Sequence, residues 1–134
     1  MFYGRLFELD PSLRPMFENT DFYRQRAKLI AMLDFLVRIA DQPDAFIRES
    51  ALLGRSHATY RLTSHHFEVM GEALLWTLDR MLGLNFTPAM RTAWGELYAL
   101  VASVMRRAAG RVSGAVPEPP HLPSHTAPDT FPAC

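Results

Sequence analysis

Apolar residues recur at intervals of three and four positions along three long stretches of this 134-residue chain. Such intervals place side chains on one face of an α-helix, whereas strands need alternation at every second residue. No stretch alternates convincingly in that way, so the pattern predicts an all-α fold. The residues that carry the pattern are Leu29, Leu33, Leu36, Val37 and Ala40; Met70, Leu74, Leu78 and Met81; and Met90, Trp94, Leu97, Tyr98, Val101, Val104 and Met105.

Prolines and capping residues mark where the helices begin. Asp10-Pro11 and Thr87-Pro88 each place a side-chain acceptor before a proline, which suits a helix start, and Gln42-Pro43 opens another helix. Gly54 and Gly83 are candidate C-terminal ends. The predicted helices span about 1–9, 11–17, 21–40, 43–57, 64–83 and 88–109. Such unequal lengths favour crossed helices around a pocket over an up-and-down four-helix bundle.

The charge balance excludes several classes of function. Lys and Arg together number 14, as do Asp and Glu, so no net charge draws the chain to nucleic acid or to an anionic membrane.

Charged residues interrupt the apolar stretches, which fall short of the ~20 apolar residues that a membrane span needs. The single cysteine, Cys134, leaves no disulfide within the chain, and the first five residues lack a secretory signal. A cytoplasmic location is therefore expected.

The chain divides into one folded domain and a tail. Six of the ten prolines follow Val116, in a segment without apolar periodicity. Because such a segment buries too little apolar surface to offset its ordering entropy, residues 112–134 are expected to be disordered. Residues 1–111 then form a single domain, since the chain is too short for two.

Three histidines lie in the predicted domain: His57, His65 and His66. His57 ends the predicted helix 43–57, where its imidazole either rests partly exposed, favoured by the helix dipole, or turns into an apolar pocket as a ligand. The residues alone leave both interpretations open. A zinc site built from the three histidines is less favoured, because the chain lacks the His-Glu-x-x-His spacing and adjacent histidines rarely converge on one ion.

The surroundings of His57 resemble a known family. Gly54-Arg55-Ser56-His57, followed by the stretch from Ser64 to Leu75, is similar to the proximal half of flavohaemoglobin-type bacterial globins. The later segment Ala93-Trp94-Gly95-Glu96-Leu97-Tyr98 resembles the signature of their final helix.

Upstream segments extend the resemblance. Tyr3 with Leu6-Phe7, Pro11 and Met16-Phe17 resembles the segment that leads to the haem-contacting phenylalanine of these globins. The 32 positions between Gln25 and His57 also fit their register. The resemblance runs from Met1 to about Ala109, with its parts in the right order.

The resemblance implies a three-over-three globin fold without its first helix, with haem b held between two helices. His57 would then be the iron's protein ligand, and Phe17 the aromatic ring that packs against the porphyrin. A neutral imidazole holds ferrous iron five-coordinate and leaves the sixth position open to a gas.

The resemblance also assigns the distal side of the haem. Tyr3 and Gln25 would be its polar pair, with Leu29 one turn beyond Gln25 on the same helix. Because bound dioxygen carries partial negative charge, a phenol donor stabilises it. Phe17, Leu29, Leu33 and Leu62 would form the apolar wall that keeps water out.

This chain departs from the family's pattern at two positions whose side chains would lie behind the imidazole of His57. Flavohaemoglobins use a tyrosine and a glutamate there to give the histidine imidazolate character, whereas this chain has Phe67 and Ala109. Without an acidic relay, His57 is expected to donate its other ring proton to a backbone carbonyl near Leu53 or Gly54. The departure favours reversible gas binding over peroxidase-like turnover.

The expected function is therefore reversible dioxygen binding at ferrous haem for transport or storage, with carbon monoxide and nitric oxide as further ligands. Two alternatives stay open: a nitric oxide dioxygenase served by a separate reductase, and a haem-free globin-like interaction module. The chain opens at the helix that carries Tyr3. We expect either a true start further upstream or another cover for the exposed apolar surface, such as a homodimer.

Overall fold

The computed structural model describes the backbone of residues 1–115 and the side chains of residues 1–110. Five α-helices follow one another: α1 (Phe2–Leu9), α2 (Phe22–Arg38), α3 (Pro43–His57), α4 (Ser64–Leu82) and α5 (Pro88–Ala115). Short 3-10 helices span Pro11–Phe17, Ala58–Tyr60 and Gly83–Asn85. No strand occurs among the residues described, so the predicted all-α fold is confirmed.

Local capping explains where the helices begin. The Asp10 side chain accepts a hydrogen bond from the Ser12 amide at the start of the first 3-10 helix. Ahead of α4, Thr63 and His66 form a reciprocal capping box: the Thr63 amide donates to His66 Nδ1, and the His66 amide donates to Thr63 Oγ1. The starts predicted from the prolines at positions 11, 43 and 88 are confirmed.

Of the two glycines predicted to end helices, Gly83 does so and Gly54 does not. Gly83 directly follows α4 with a φ of +53°, a left-handed conformation that glycine adopts without steric cost. Gly54 lies inside α3, and a Cβ atom there would lie 2.5 Å from the carbonyl oxygen of Met105. The prediction for Gly54 is wrong because the residue serves a close backbone approach rather than a turn.

The buried face of α2 is rotated from the predicted one. Met32 and Leu36 are buried, and Leu29 and Leu33 are half-buried. Val37, which the pattern placed on this face, is 48% exposed. Other predicted core positions that are exposed are Ala40, which also lies beyond the end of α2, Met81 and Met90. The spacing of apolar residues predicted the helices correctly, but it did not predict which apolar side chains of each helix are buried.

The last helix continues past its predicted end near residue 109. Since α5 ends at Ala115, residues 112–115, which were expected in the tail, are helical. Residues 116–134 lie outside the described residues, so the expected disordered tail stays a prediction there.

The helices group into two compact units. Unit 1 comprises Met1–Glu18 and Leu62–Ala102, and within it α1 packs against α4. Unit 2 comprises Asn19–Arg61 and the chain from Ser103. The candidate site residues divide between them: Tyr3, Phe17 and Leu62 belong to unit 1, and Gln25, Leu29 and His57 belong to unit 2. Within the described part of the chain, no helix has the length and apolarity needed to span a membrane.

Candidate functional site

His57 is the last residue of α3, and its side chain is buried, with 5% of the residue exposed. Its Nδ1 donates a hydrogen bond to the carbonyl oxygen of Leu53 at 2.7 Å, in the region where sequence analysis predicted such a bond. A carbonyl oxygen can only accept, so Nδ1 carries the proton, and Nε2 of the neutral ring holds the lone pair. This tautomer leaves Nε2 available as a metal ligand.

Burial also sets the charge of this imidazole. Removal from water disfavours the imidazolium form and lowers the pKa of His57 below its usual value, and the bond to Leu53 opposes this effect without overcoming it. His57 is therefore neutral near pH 7. The interpretation of His57 as a partly exposed histidine favoured by the helix dipole is wrong, because its side chain is buried and its ring is neutral.

Two neighbours of His57 were not assigned a role from the sequence. Ser56 Oγ donates to the Leu53 carbonyl at 2.8 Å and lies 3.3 Å from His57 Nδ1, and the Tyr60 ring centroid lies 5.9 Å from that of His57. Both lie within three positions of His57, so their closeness along the chain is the signal that could have indicated them. Together these groups restrict the rotation of the imidazole.

The donor set around His57 fits a haem iron. Porphyrin supplies four nitrogens, so the protein needs to add one neutral imidazole whose other nitrogen is hydrogen-bonded, and His57 meets this requirement. Leu53, one turn before His57 on the same face of α3, is also buried. Nowhere in the described part of the chain do three or more His, Cys, Asp or Glu residues form a group that could hold a metal ion.

Unit 1 brings Tyr3 and Phe17 together. Their ring centroids lie 5.5 Å apart with the ring planes tilted by 59°, and the Phe2 ring meets the edge of Tyr3 at 4.9 Å. Tyr3 is 5% exposed, because α1 begins at Phe2 and buries this side of its first turn. A tyrosine two residues from the start of the chain is thus fixed by aromatic packing rather than frayed.

The remaining candidate residues are half-buried. Gln25 and Leu29 lie one turn apart on α2, on the side of the helix that buries Met32. Leu62 lies in the short segment before α4.

The position ten residues after His57 is held by a contact that sequence analysis missed. Tyr98 of α5 donates its hydroxyl proton to the Phe67 carbonyl oxygen at 2.6 Å. Its ring also lies over Gly71, where a Cβ atom would come within 2.8 Å of a ring carbon. The partners are 31 residues apart, so nothing in their local sequence marks the contact.

Comparisons with known proteins identify the family of this chain. The globin family model matches residues 1–105. The chain is 32% identical over 120 residues to neuroglobin of Danio rerio, covering 78% of this chain and 74% of that protein, and 30% identical over 116 residues to neuroglobin of Chaenocephalus aceratus, covering 77% and 73%. A solved structure, the closed form of the globin domain of HGbRL, is 32% identical, with a TM-score of 0.48, and covers 83% of this chain and 80% of that one.

The chain therefore belongs to the globin family. Its fold is the all-α globin fold, and its cofactor is the haem b that globins bind. Diatomic gases such as dioxygen are the ligands that this family binds. The flavohaemoglobin type expected from the sequence is one group within this family, and it stays a prediction.

Proposed function

We propose that this chain is a single-domain globin of the flavohaemoglobin type that holds haem b through His57 and binds dioxygen reversibly. The observation that carries the proposal is the buried, neutral His57, whose Nδ1 proton is committed to Leu53. Oxygen transport or storage in the cytoplasm is the role that we propose for it. Ferrous haem supplies an open coordination position for a gas.

On the proximal side, His57 presents Nε2 while Leu53, Ser56 and Tyr60 hold its ring in place. The acceptor of the Nδ1 proton is a neutral carbonyl, which polarises the imidazole less than a carboxylate would. Weak polarisation favours reversible binding over cleavage of the oxygen–oxygen bond. This argument supports a binding protein rather than a peroxidase-like enzyme.

On the distal side, Tyr3 is the proposed hydrogen-bond donor to the gas, and Gln25 either orients the phenol or donates its own amide proton. Phe17, Leu29 and Leu62 would exclude water from the same pocket and so slow oxidation of the iron. Burial of Tyr3 and its packing against Phe17 support these roles, because a fixed phenol pays little entropy to donate.

The test replaces His57 by glycine and supplies free imidazole. Hemin-loaded His57→Gly should lose the histidine-ligated ferrous spectrum, and millimolar imidazole should restore it by taking the vacated position. His65→Gly is the matched control, because His65 is exposed and contacts Asp10, and its spectrum should match the parent chain. An unchanged spectrum in His57→Gly would assign the ligand to another residue and overturn the proposal.

The same preparation separates the alternative functions. Reversible binding predicts that the oxygenated protein releases dioxygen unchanged when dioxygen is removed. Consumption of nitric oxide in many turnovers with an added reductase would instead identify a nitric oxide dioxygenase. Failure of the parent chain to take up hemin would favour a haem-free interaction module.

A further inference from the structure

Helix α4 begins with a capping box in which a histidine takes the place of the usual glutamate or glutamine. The Thr63 amide donates to His66 Nδ1 at 3.0 Å, and the His66 amide donates to Thr63 Oγ1 at 3.3 Å. A carboxylate or a side-chain amide accepts such a bond at any pH near neutrality, whereas an imidazole changes its charge between about pH 8 and pH 5. The cap of α4 therefore contains a titratable acceptor.

Protonation of His66 removes this acceptor. The neutral ring accepts through Nδ1 when its proton is on Nε2, but in the imidazolium form both nitrogens carry protons and neither accepts. The Thr63 amide then faces an N–H group instead of a lone pair. The added charge also lies in the first turn of α4, where the helix dipole disfavours cations. Both effects drive the protonated ring out of the cap.

The carboxylate nearest to the two adjacent histidines is Asp10, which follows α1. Its oxygens are already engaged, because Oδ1 accepts from the Ser12 amide and Oδ2 lies 3.4 Å from His65 Nε2. The rings of His65 and His66 are 6.3 Å apart, and Glu68, two positions further along, lies on another side of the helix. Protonation strengthens the pairing of His65 with Asp10, whereas protonation of His66 costs a hydrogen bond. The two histidines therefore respond to acid in opposite directions.

The charged and titratable groups on the helices packed near α4 are engaged elsewhere. On α1, the Arg5 guanidinium pairs with Glu8 and lies over the ring of Trp76, ten positions beyond His66. On α5, the Tyr98 hydroxyl donates its proton to a main-chain carbonyl of α4. The bond from the Thr63 amide is therefore the contact of His66 that its protonation changes.

The chain just before the cap is strained. Arg61, two positions before Thr63, has a φ of +52°, a left-handed conformation that costs free energy in a residue with a side chain. Such a conformation persists only where the flanking structure holds it. The Arg61 amide donates to the Ala58 carbonyl at 3.2 Å on one side, and the capping box fixes the chain on the other. Loss of the cap removes one of these two constraints.

We propose that His66 is a proton-sensitive cap of α4, which fixes residues 61–63 while its imidazole is neutral and releases them when the imidazole is protonated. In acid the Thr63 amide loses its acceptor, and the strain at Arg61 favours opening of the segment. This device acts through main-chain groups and does not need haem. Leu62 lies inside the segment, so acid would also loosen that part of the apolar wall around the haem, a consequence that rests on the proposed function.

The first test measures amide hydrogen exchange in the full chain between about pH 8 and pH 5, as a protection relative to an unstructured peptide at the same pH. The protection of the Thr63 and Arg61 amides should fall about fivefold, which corresponds to the loss of a hydrogen bond of about 1 kcal/mol. The Leu74 amide, in the middle of α4, should keep its protection, which separates loss of the cap from general unfolding.

Two variants identify the group that titrates. His66→Gln should hold the protection of Thr63 constant across the pH range, because glutamine completes a capping box and does not titrate. His65→Gln is the matched control, since His65 is the neighbouring imidazole but lies outside the cap, and its Thr63 amide should lose protection as in the parent.

The second test determines the tautomer of His66 by nitrogen NMR of the full chain near pH 8. The proton should be on Nε2, because Nδ1 accepts from Thr63. His57 provides the internal contrast, since its Nδ1 donates to Leu53 and should carry the proton.

Three results would overturn the proposal. The first is a protection of the Thr63 or Arg61 amide that stays constant between about pH 8 and pH 5 in the parent chain. The second is a fall in the protection of Thr63 that is as large in His66→Gln as in the parent. The third is a His66 ring that carries its proton on Nδ1 near pH 8, since such a ring cannot accept from Thr63.

Discussion

The imidazole of His57 donates its Nδ1 proton to the carbonyl oxygen of Leu53 at 2.7 Å, one turn earlier on α3. This acceptor is a neutral main-chain group, whereas a carboxylate would draw the proton closer and make the ring more anionic. Burial lowers the pKa of His57, so the ring stays neutral. A contact within one helical turn thus sets the electronic character of the proposed iron ligand.

The proposed donor role of Tyr3 predicts the rate at which dioxygen leaves. A hydrogen bond to a partly charged acceptor contributes roughly 1.5–3 kcal/mol, so Tyr3→Phe should speed dioxygen dissociation by about tenfold or more. Stopped-flow displacement of dioxygen by carbon monoxide measures this rate. Tyr23→Phe is the matched control, because Tyr23 is 83% exposed. Equal dioxygen dissociation rates in Tyr3→Phe and Tyr23→Phe would show that the Tyr3 hydroxyl does not donate to the bound gas.

Gly54 should tolerate no side chain. A Cβ atom there would lie 2.5 Å from the Met105 carbonyl oxygen, so Gly54→Ala forces α3 away from that backbone and should lower the free energy of unfolding by about 1–3 kcal/mol. At Gly95 of α5 nothing lies within 4 Å of the added atom. Gly95→Ala should instead stabilise the chain by up to about 1 kcal/mol through helix propensity.

Urea unfolding followed by circular dichroism measures both glycine variants. A Gly54→Ala chain as stable as the parent would show that the close approach between α3 and the Met105 backbone is not present in solution.

The hydroxyl of Tyr98 should stabilise unit 1. Tyr98→Phe removes the bond to the Phe67 carbonyl and should lower the free energy of unfolding by about 0.5–1.5 kcal/mol. Amide exchange should also quicken along the part of α4 that follows Phe67. A loss of stability with unchanged exchange in α4 would locate the effect elsewhere.

Features set by neighbouring residues were predictable from the sequence, and features set by distant ones were not. The starts at the three prolines and the bond from His57 to Leu53 depend on residues within a turn of each other. By contrast, the backbone of Met105 explains Gly54, and the bond from Tyr98 to Phe67 joins two helices. The spacing of residues within one helix does not show which residues from distant parts of the chain will pack against it.

The pH dependence of stability should include a contribution from Asp10. The hydrogen bond from the Ser12 hydroxyl is the main reason that the pKa of Asp10 lies below its usual value of 3.8, and desolvation opposes it in part. A lowered pKa in the folded state means that the stabilisation is present above the pKa of the unfolded chain and is lost as the pH falls through the folded value.

Asp10→Asn isolates this contribution. The parent should be more stable than Asp10→Asn near neutral pH, and the difference should shrink as the pH falls through and below about 4, the usual carboxyl range. Thermal unfolding of both chains at several pH values measures it. A difference that stays constant down to the lowest pH would show that the charge of Asp10 plays no part.

Haem binding through one buried histidine, with a coordination position left open for a gas, can be measured by a hemin titration of the full chain, followed by reduction and visible spectra before and after carbon monoxide. The titration should saturate at one hemin per chain. The ferrous spectrum should be five-coordinate and histidine-ligated, and carbon monoxide should shift it completely. Hemin uptake that does not saturate, or a ferrous spectrum that carbon monoxide leaves unchanged, would contradict it.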